Sequence, residues 1–185
     1  MIDVKVLNRA ELAALVCETL SRAGIDAVLV GGSCVSIYTH EKFVSLDLDF
    51  IALGSVSNKM IGKALAVIGF EKKPSGSRYF VHPQTSLYVE FPPSPLMVGD
   101  EHIPEDQVGE FTTDQGVIRL LRPTDCVKDR LANYYYHNDE QCYLQAQSVA
   151  QLQRVDWDDI QRWHDHEGQG EAFAVFRRDV ESVQS

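Results

Sequence analysis

The stretch that most constrains this chain covers residues 28–50, VLVGGSCVSIYTHEKFVSLDLDF. An apolar run stops at Gly31-Gly32-Ser33, and Asp47 and Asp49 follow with a single leucine between them. In a strand successive side chains point to opposite faces, so the two aspartates share one face while Leu46, Leu48 and Phe50 enter the core on the other. Two carboxylates that close repel each other unless something positive lies between them. A divalent cation with oxygen ligands meets that need.

The glycines supply the other half of a phosphate site. Gly31 and Gly32 follow a strand and open a helix over residues 34–38, so backbone amides can approach a phosphate, and Ser33 adds a hydroxyl at the helix N-terminus. No Lys-Ser or Lys-Thr follows the glycines, which excludes a Walker A loop. Residues 86–91 alternate again, with Leu87, Val89 and Phe91 facing one way and Tyr88 and Glu90 the other, until Pro92-Pro93 ends the strand. Glu90 is therefore the candidate third carboxylate.

Gly-Gly-Ser followed by Asp-x-Asp on the next strand resembles the signature of the nucleotidyltransferase fold, shared by DNA polymerase beta, the minimal nucleotidyltransferases and the AbiEii-type toxins. The likeness covers about residues 26–91. It implies an α/β (α+β) core with a mixed sheet of four or five strands flanked by helices. It also implies a reaction: transfer of a nucleoside monophosphate, AMP first among them, from an NTP to a hydroxyl on protein or RNA. By this resemblance Asp47, Asp49 and Glu90 hold Mg2+ or Mn2+, Gly31, Gly32 and Ser33 hold the phosphates, and Glu90 helps deprotonate the acceptor. The third position is most often Asp in the family, and Glu is longer by one methylene. Many relatives also carry an Arg a few residues before the aspartate pair; the nearest basic residue here is Lys42, which the resemblance makes a candidate nucleotide-binding cation. The segment Val127-Lys128-Asp129-Arg130-Leu131 resembles the lysine-bearing helix that follows the core in AbiEii-like proteins, so Lys128 or Arg130 could offer a cation to the triphosphate. Small proteins of this superfamily often belong to toxin and antitoxin pairs, which implies a cognate toxin or antitoxin, or tRNA, as partner. The rival readings are a noncatalytic nucleotide- or partner-binding module and a modifier of small molecules of the antibiotic type.

Apolar patterning elsewhere completes the core. It predicts an amphipathic helix over 8–23, strands over 26–30 and 44–52, a crossover helix over 57–68, a turn at Lys73-Pro74-Ser75-Gly76, and strands over 78–82 and 117–121. Residues 94–115, rich in Pro, Gly and acidic groups, read as an irregular excursion. At Arg122-Pro123-Thr124-Asp125 the pattern turns to helix throughout, which divides the chain into a catalytic core at 1–122 and a helical subdomain at 123–185 packed on it. The last helix carries Phe173, Phe176, Val180 and Val183 on its apolar stripe. In this part Tyr134-Tyr135-Tyr136 reads as core packing and His164-Asp165-His166 as the surface of a helix end.

Charge narrows the partners. A formal net charge of -10 argues against tight nonspecific binding of DNA or RNA. Cys17, Cys34, Cys126 and Cys142 form no CxxC pair and read as reduced core residues of a cytoplasmic protein. No apolar run approaches the length of a membrane span, and no secretory signal pattern opens the sequence.

Overall fold

The computed structural model describes residues 3–73 and 78–182. Most of the predicted turn at Lys73-Pro74-Ser75-Gly76 and the apolar position Val183 fall outside the described residues.

The chain enters through α1 (Arg9–Arg22), which Asn8 and Glu11 start with reciprocal hydrogen bonds between side chain and backbone. Strand β1 (Ala27–Val30) then runs straight into α2 (Gly31–Tyr38), so the glycines lie inside the helix's first turn rather than before it. Next come β2 (Asp47–Ala52), α3 (Asn58–Leu65), β3 (Glu71–Lys72), β4 (Tyr79–Val81) and β5 (Tyr88–Glu90). A small hairpin of β6 (Met97–Val98) and β7 (Glu101–His102) stands apart from the main sheet. Strands β8 (Gly109–Thr113) and β9 (Gly116–Leu120) close the sheet.

That sheet has seven strands in the order β3-β4-β5-β2-β1-β9-β8, larger than the four or five expected. It is mixed: β1 is antiparallel to β2 and parallel to β9, and β2 is parallel to β5. Much of the excess lies in the stretch read as irregular. There β8 pairs with β9 over its whole length, although most of its residues are exposed and carry no apolar alternation. Ala27, Val28 and Leu29 are all buried, so both faces of the sheet are covered at β1. Leu48 and Phe50 enter the core as expected, but Leu46 precedes β2 and is 56% exposed.

From Pro123 the chain is helical: α4 (Pro123–His137), α5 (Glu140–Leu152), α6 (Trp157–His166) and α7 (Gly170–Ser182). Buried apolar side chains run continuously from Val28 and Leu29 through Val127 and Leu131 to Trp163 and Phe176. Tyr135 packs near Trp163 as expected of a core residue, whereas Tyr136 is exposed. His164 is not a surface residue. It is fully buried, with Nδ1 2.8 Å from the Ile160 carbonyl and Nε2 3.0 Å from the Tyr135 hydroxyl, and burial holds its pKa below the usual value. All four cysteines are free and buried. Among the described residues no helix is long and apolar enough to cross a membrane.

Candidate active site

Register brings the three acidic residues together. Asp49 pairs with Val30 on one side and with Glu90 on the other, and Asp47 lies two residues along β2 on the same face as Asp49. One carboxylate oxygen from each of Asp47, Asp49 and Glu90 can be chosen so that all lie within 4.8 Å of one another. Glu90 is buried and the two aspartates are half-buried.

The glycine turn is fitted to this cluster. Gly31 has φ +70, and a Cβ there would lie 2.7 Å from Asp49 Oδ2, so both conformation and space exclude a side chain. A Cβ on Gly32 would meet the Ser45 side chain at 3.2 Å. Among the described residues no side chain caps the start of α2, whose first amides are therefore the groups this turn can offer to an anion. The Ser33 hydroxyl takes a different part from the one expected. It is fully buried, donates to the Asp47 carbonyl and accepts from Arg9 Nη1 at 3.4 Å, so it fastens the turn to β2.

The expected cations divide. Lys42 Nζ donates to Ser148 Oγ at 2.9 Å, which ties the loop after α2 to α5. Lys128 is 1% exposed and sits among Glu101, Asp125 and Asp159 at 2.8, 3.0 and 3.1 Å, so its charge is already matched by three carboxylates. Arg130 pairs with Asp129 at 2.6 Å, yet its charge still reaches Asp49 and opposes the upward shift of that carboxyl. The arginine in direct contact with the cluster was not singled out from sequence. It is Arg78, whose Nε lies 2.6 Å from Glu90 Oε1.

Electrostatics mark the cluster as short of positive charge. Burial first, then the neighbouring Asp47 and Glu90 charges, push the Asp49 pKa up to about 7. Tyr79 and Tyr88 stand beside it with ring centroids 5.5 Å apart. The Glu90 charge is the first cause of the raised Tyr79 pKa, and burial followed by Asp47 raises that of Tyr88. Three carboxylate donors, one of them shifted toward its protonated form in the absence of a cation, form a hard set suited to Mg2+ or Mn2+. Asp47, Asp49 and Glu90 thus fit a divalent ion, which would supply charge neutralisation for a phosphoryl group.

No protein-family model matches the chain, and no curated protein matches it in sequence. Among solved structures, it is similar to the lincosamide antibiotic adenylyltransferase LnuA, crystallised with lincomycin bound. The TM-score is 0.50 and the identity 17%, over 80% of this chain and 99% of that one. At this identity the likeness concerns the fold alone: the chain shares the α/β fold of that enzyme, in line with the α/β form expected from its glycine turn and acidic strand.

Proposed function

We propose that this protein is a metal-dependent nucleotidyltransferase that moves a nucleoside monophosphate, AMP in the first instance, from an NTP to a hydroxyl acceptor. The observation that carries the reading is the convergence of Asp47, Asp49 and Glu90 beside the glycine turn that opens α2. In this reading the three carboxylates hold Mg2+ or Mn2+, and the amides around Gly31 and Gly32 receive the phosphates of the donor. Glu90, at the edge of the cluster and held by Arg78, accepts the proton of the attacking hydroxyl. Arg130, whose charge reaches Asp49 against the opposing charge of its partner Asp129, contributes positive potential near the triphosphate. No covalent enzyme intermediate is needed, because positioning and charge neutralisation suffice for in-line displacement.

Two acceptor classes remain in view. A protein or tRNA acceptor, with its toxin and antitoxin setting, rests on the sequence resemblance alone. A small hydroxyl compound is favoured by the likeness to an enzyme named for modifying a lincosamide antibiotic. The net charge of -10 weighs against bulk nucleic acid in either case.

The test uses α-labelled ATP, GTP, CTP and UTP with Mg2+ or Mn2+, offered with host lysate and separately with a panel of small polyhydroxyl compounds. Pyrophosphate release and label transfer are expected in the wild type. Asp47→Asn and Asp49→Asn should each lower both by at least about 10^3-fold, since metal positioning and charge stabilisation account for most of the barrier reduction in such transfers. Full activity in both variants would sink the reading. Nucleotide binding without pyrophosphate from any acceptor would favour a noncatalytic module.

A further inference from the structure

We propose that Arg9, at the start of α1, is a positioning residue that holds Asp47 and the glycine turn in register for metal binding. The inference rests on the metal site described above and adds to it a residue from a distant part of the chain.

An arginine in the first turn of a helix faces the positive end of the helix dipole and would ordinarily lie in solvent. Arg9 is only 7% exposed. Its Nε lies 3.2 and 3.1 Å from the two oxygens of Glu41, and its Nη1 donates to Ser33 Oγ at 3.4 Å and to the Ser45 carbonyl. Both serines lead to Asp47. Ser33 Oγ donates to the Asp47 carbonyl, and Ser45 Oγ donates to Asp47 Oδ1. One guanidinium therefore joins α1, the first turn of α2 and the loop before β2, and reaches Asp47 at its backbone and at its carboxylate.

The loop that presents Glu41 is itself unusual. His40 and Glu41 are consecutive non-glycine residues at φ 51 and 62, a left-handed conformation that costs free energy and persists only when surrounding contacts impose it. Next to it, Ser36 Oγ lies 2.6 Å from the Phe43 carbonyl, which fastens the loop to α2 from the other side. Because Glu41 matches the charge of Arg9, the arginine acts on the cluster through geometry rather than as its counter-ion. A lysine would carry the charge, but its single ammonium lacks the planar fork that meets Glu41, Ser33 and Ser45 together.

Partners that orient metal ligands typically change metal affinity by about 10- to 100-fold when removed. The experiment is a Mn2+ titration followed by electron paramagnetic resonance, with Tb3+ luminescence sensitised by Tyr79 and Tyr88 as a second probe. It compares wild type, Arg9→Met, Arg9→Lys, Ser45→Ala and, as a control at the exposed far end of the same helix, Arg22→Met. All are measured well below their melting temperatures with circular dichroism confirming the fold. Arg9→Met and Ser45→Ala should weaken binding by about 10- to 100-fold, Arg9→Lys should follow Arg9→Met, and Arg22→Met should match wild type. Should Arg9→Met fail to fold, Arg9→Lys decides, because it keeps the charge beside Glu41 and loses the fork that also reaches Ser33 Oγ and the Ser45 carbonyl, whereas Ser45→Ala keeps that carbonyl and reads only the last link to the Asp47 carboxylate. Wild-type affinity in folded Arg9→Met or in folded Arg9→Lys, whatever the loss of melting temperature, overturns the inference and leaves the metal site standing. Absence of Mn2+ binding in the wild type would instead overturn the metal site and this inference with it.

Discussion

Three carboxylates meet twice in this molecule, with opposite outcomes. Around α4, Glu101, Asp125 and Asp159 enclose the ammonium of Lys128 at 2.8, 3.0 and 3.1 Å. Arg122 adds a contact to Asp125 at 3.0 Å, and Arg162 reaches Asp159 and, at 3.6 Å, Glu101. The chain supplies its own cations there, one in the middle and two at the rim. On the sheet, Asp47, Asp49 and Glu90 crowd within 4.8 Å, and their one direct ion pair among the described residues is Arg78 to Glu90. Burial first, and then the crowding by Asp47 and Glu90, push the Asp49 carboxyl up to about 7. A cluster of acids does not mark a functional site by itself. The imbalance between acids and the cations that the chain brings to them does.

The largest effect should come from removing the internal cation. Lys128→Met leaves one deeply buried carboxylate, Asp125, and two partly exposed ones, Asp159 and Glu101, without their shared partner, and breaking a buried ion pair on one side costs about 3–5 kcal/mol. Urea denaturation should show that loss as a lower midpoint with an unchanged slope. Metal affinity at Asp47 and Asp49 should stay at the wild-type level. A variant as stable as wild type would break the comparison, since the two clusters would then not differ in how they are neutralised.

The opposite sign is expected at the sheet. Asp49→Asn removes the carboxyl that suffers most from its neighbours, so the metal-free variant should melt higher than wild type. The ordinary aspartate pKa is 3.8 and the folded one about 7, so between these values the folded chain keeps a proton that the unfolded chain has lost. The Asp49 contribution to wild-type stability therefore falls as pH rises through that window and levels off above it, while the variant lacks this contribution and shares all others, the opposite one of buried His164 included. The gain of Asp49→Asn should be small near pH 4 and complete by pH 8. Mg2+ reverses the order, because it stabilises the ionised wild-type site, increasingly so as the Asp49 proton leaves, and finds one ligand fewer in the variant. Differential scanning calorimetry at pH 5 and pH 8, with and without Mg2+, reads all four cases. A gap between metal-free variant and wild type that does not widen from pH 5 to pH 8 would contradict the burial and crowding of Asp49.

What could be read from the chain followed the reach of its local rules. Alternation over residues 86–91 put Glu90 on the face opposite Leu87, Val89 and Phe91, and parallel pairing of β2 with β5 then placed it opposite Asp49. Gly31 was legible because a strand-to-helix turn against an acidic strand needs a residue without a Cβ. Arg9 was not legible: it lies 24 residues before Ser33, and nothing in its neighbourhood distinguishes it from a solvated first-turn arginine. Lys128 misled for a related reason. On its own helix it has Asp125 at i-3, the mark of an exposed pair, whereas Glu101 and Asp159 arrive from β7 and α6. Strand β8 escaped notice because an exposed edge strand such as GEFTT is held by its ladder to β9 rather than by an apolar face. His164 escaped because its burial depends on Tyr135, Phe173 and Phe176, brought together only by packing of the helices.

The smallest expected effect tests whether neutralisation at the Lys128 cluster comes from inside or from the rim. Arg162 contacts Asp159 and Glu101, but its side chain is 68% exposed. An exposed ion pair is screened by solvent and holds two mobile side chains in one geometry, so such pairs contribute about 0–1 kcal/mol. With Lys128 still between the three carboxylates, Arg162→Ala should shift the urea midpoint by no more than that amount, and the shift should shrink further in high salt. Combined with Lys128→Met the same change should cost more than it does alone, because the rim arginine is then a larger share of the remaining positive charge near Glu101 and Asp159. A double-mutant cycle reads the coupling. Strict additivity would mean that Arg162 and Lys128 serve their carboxylates independently, and that the cluster is two separate ion pairs rather than one site balanced by the chain itself.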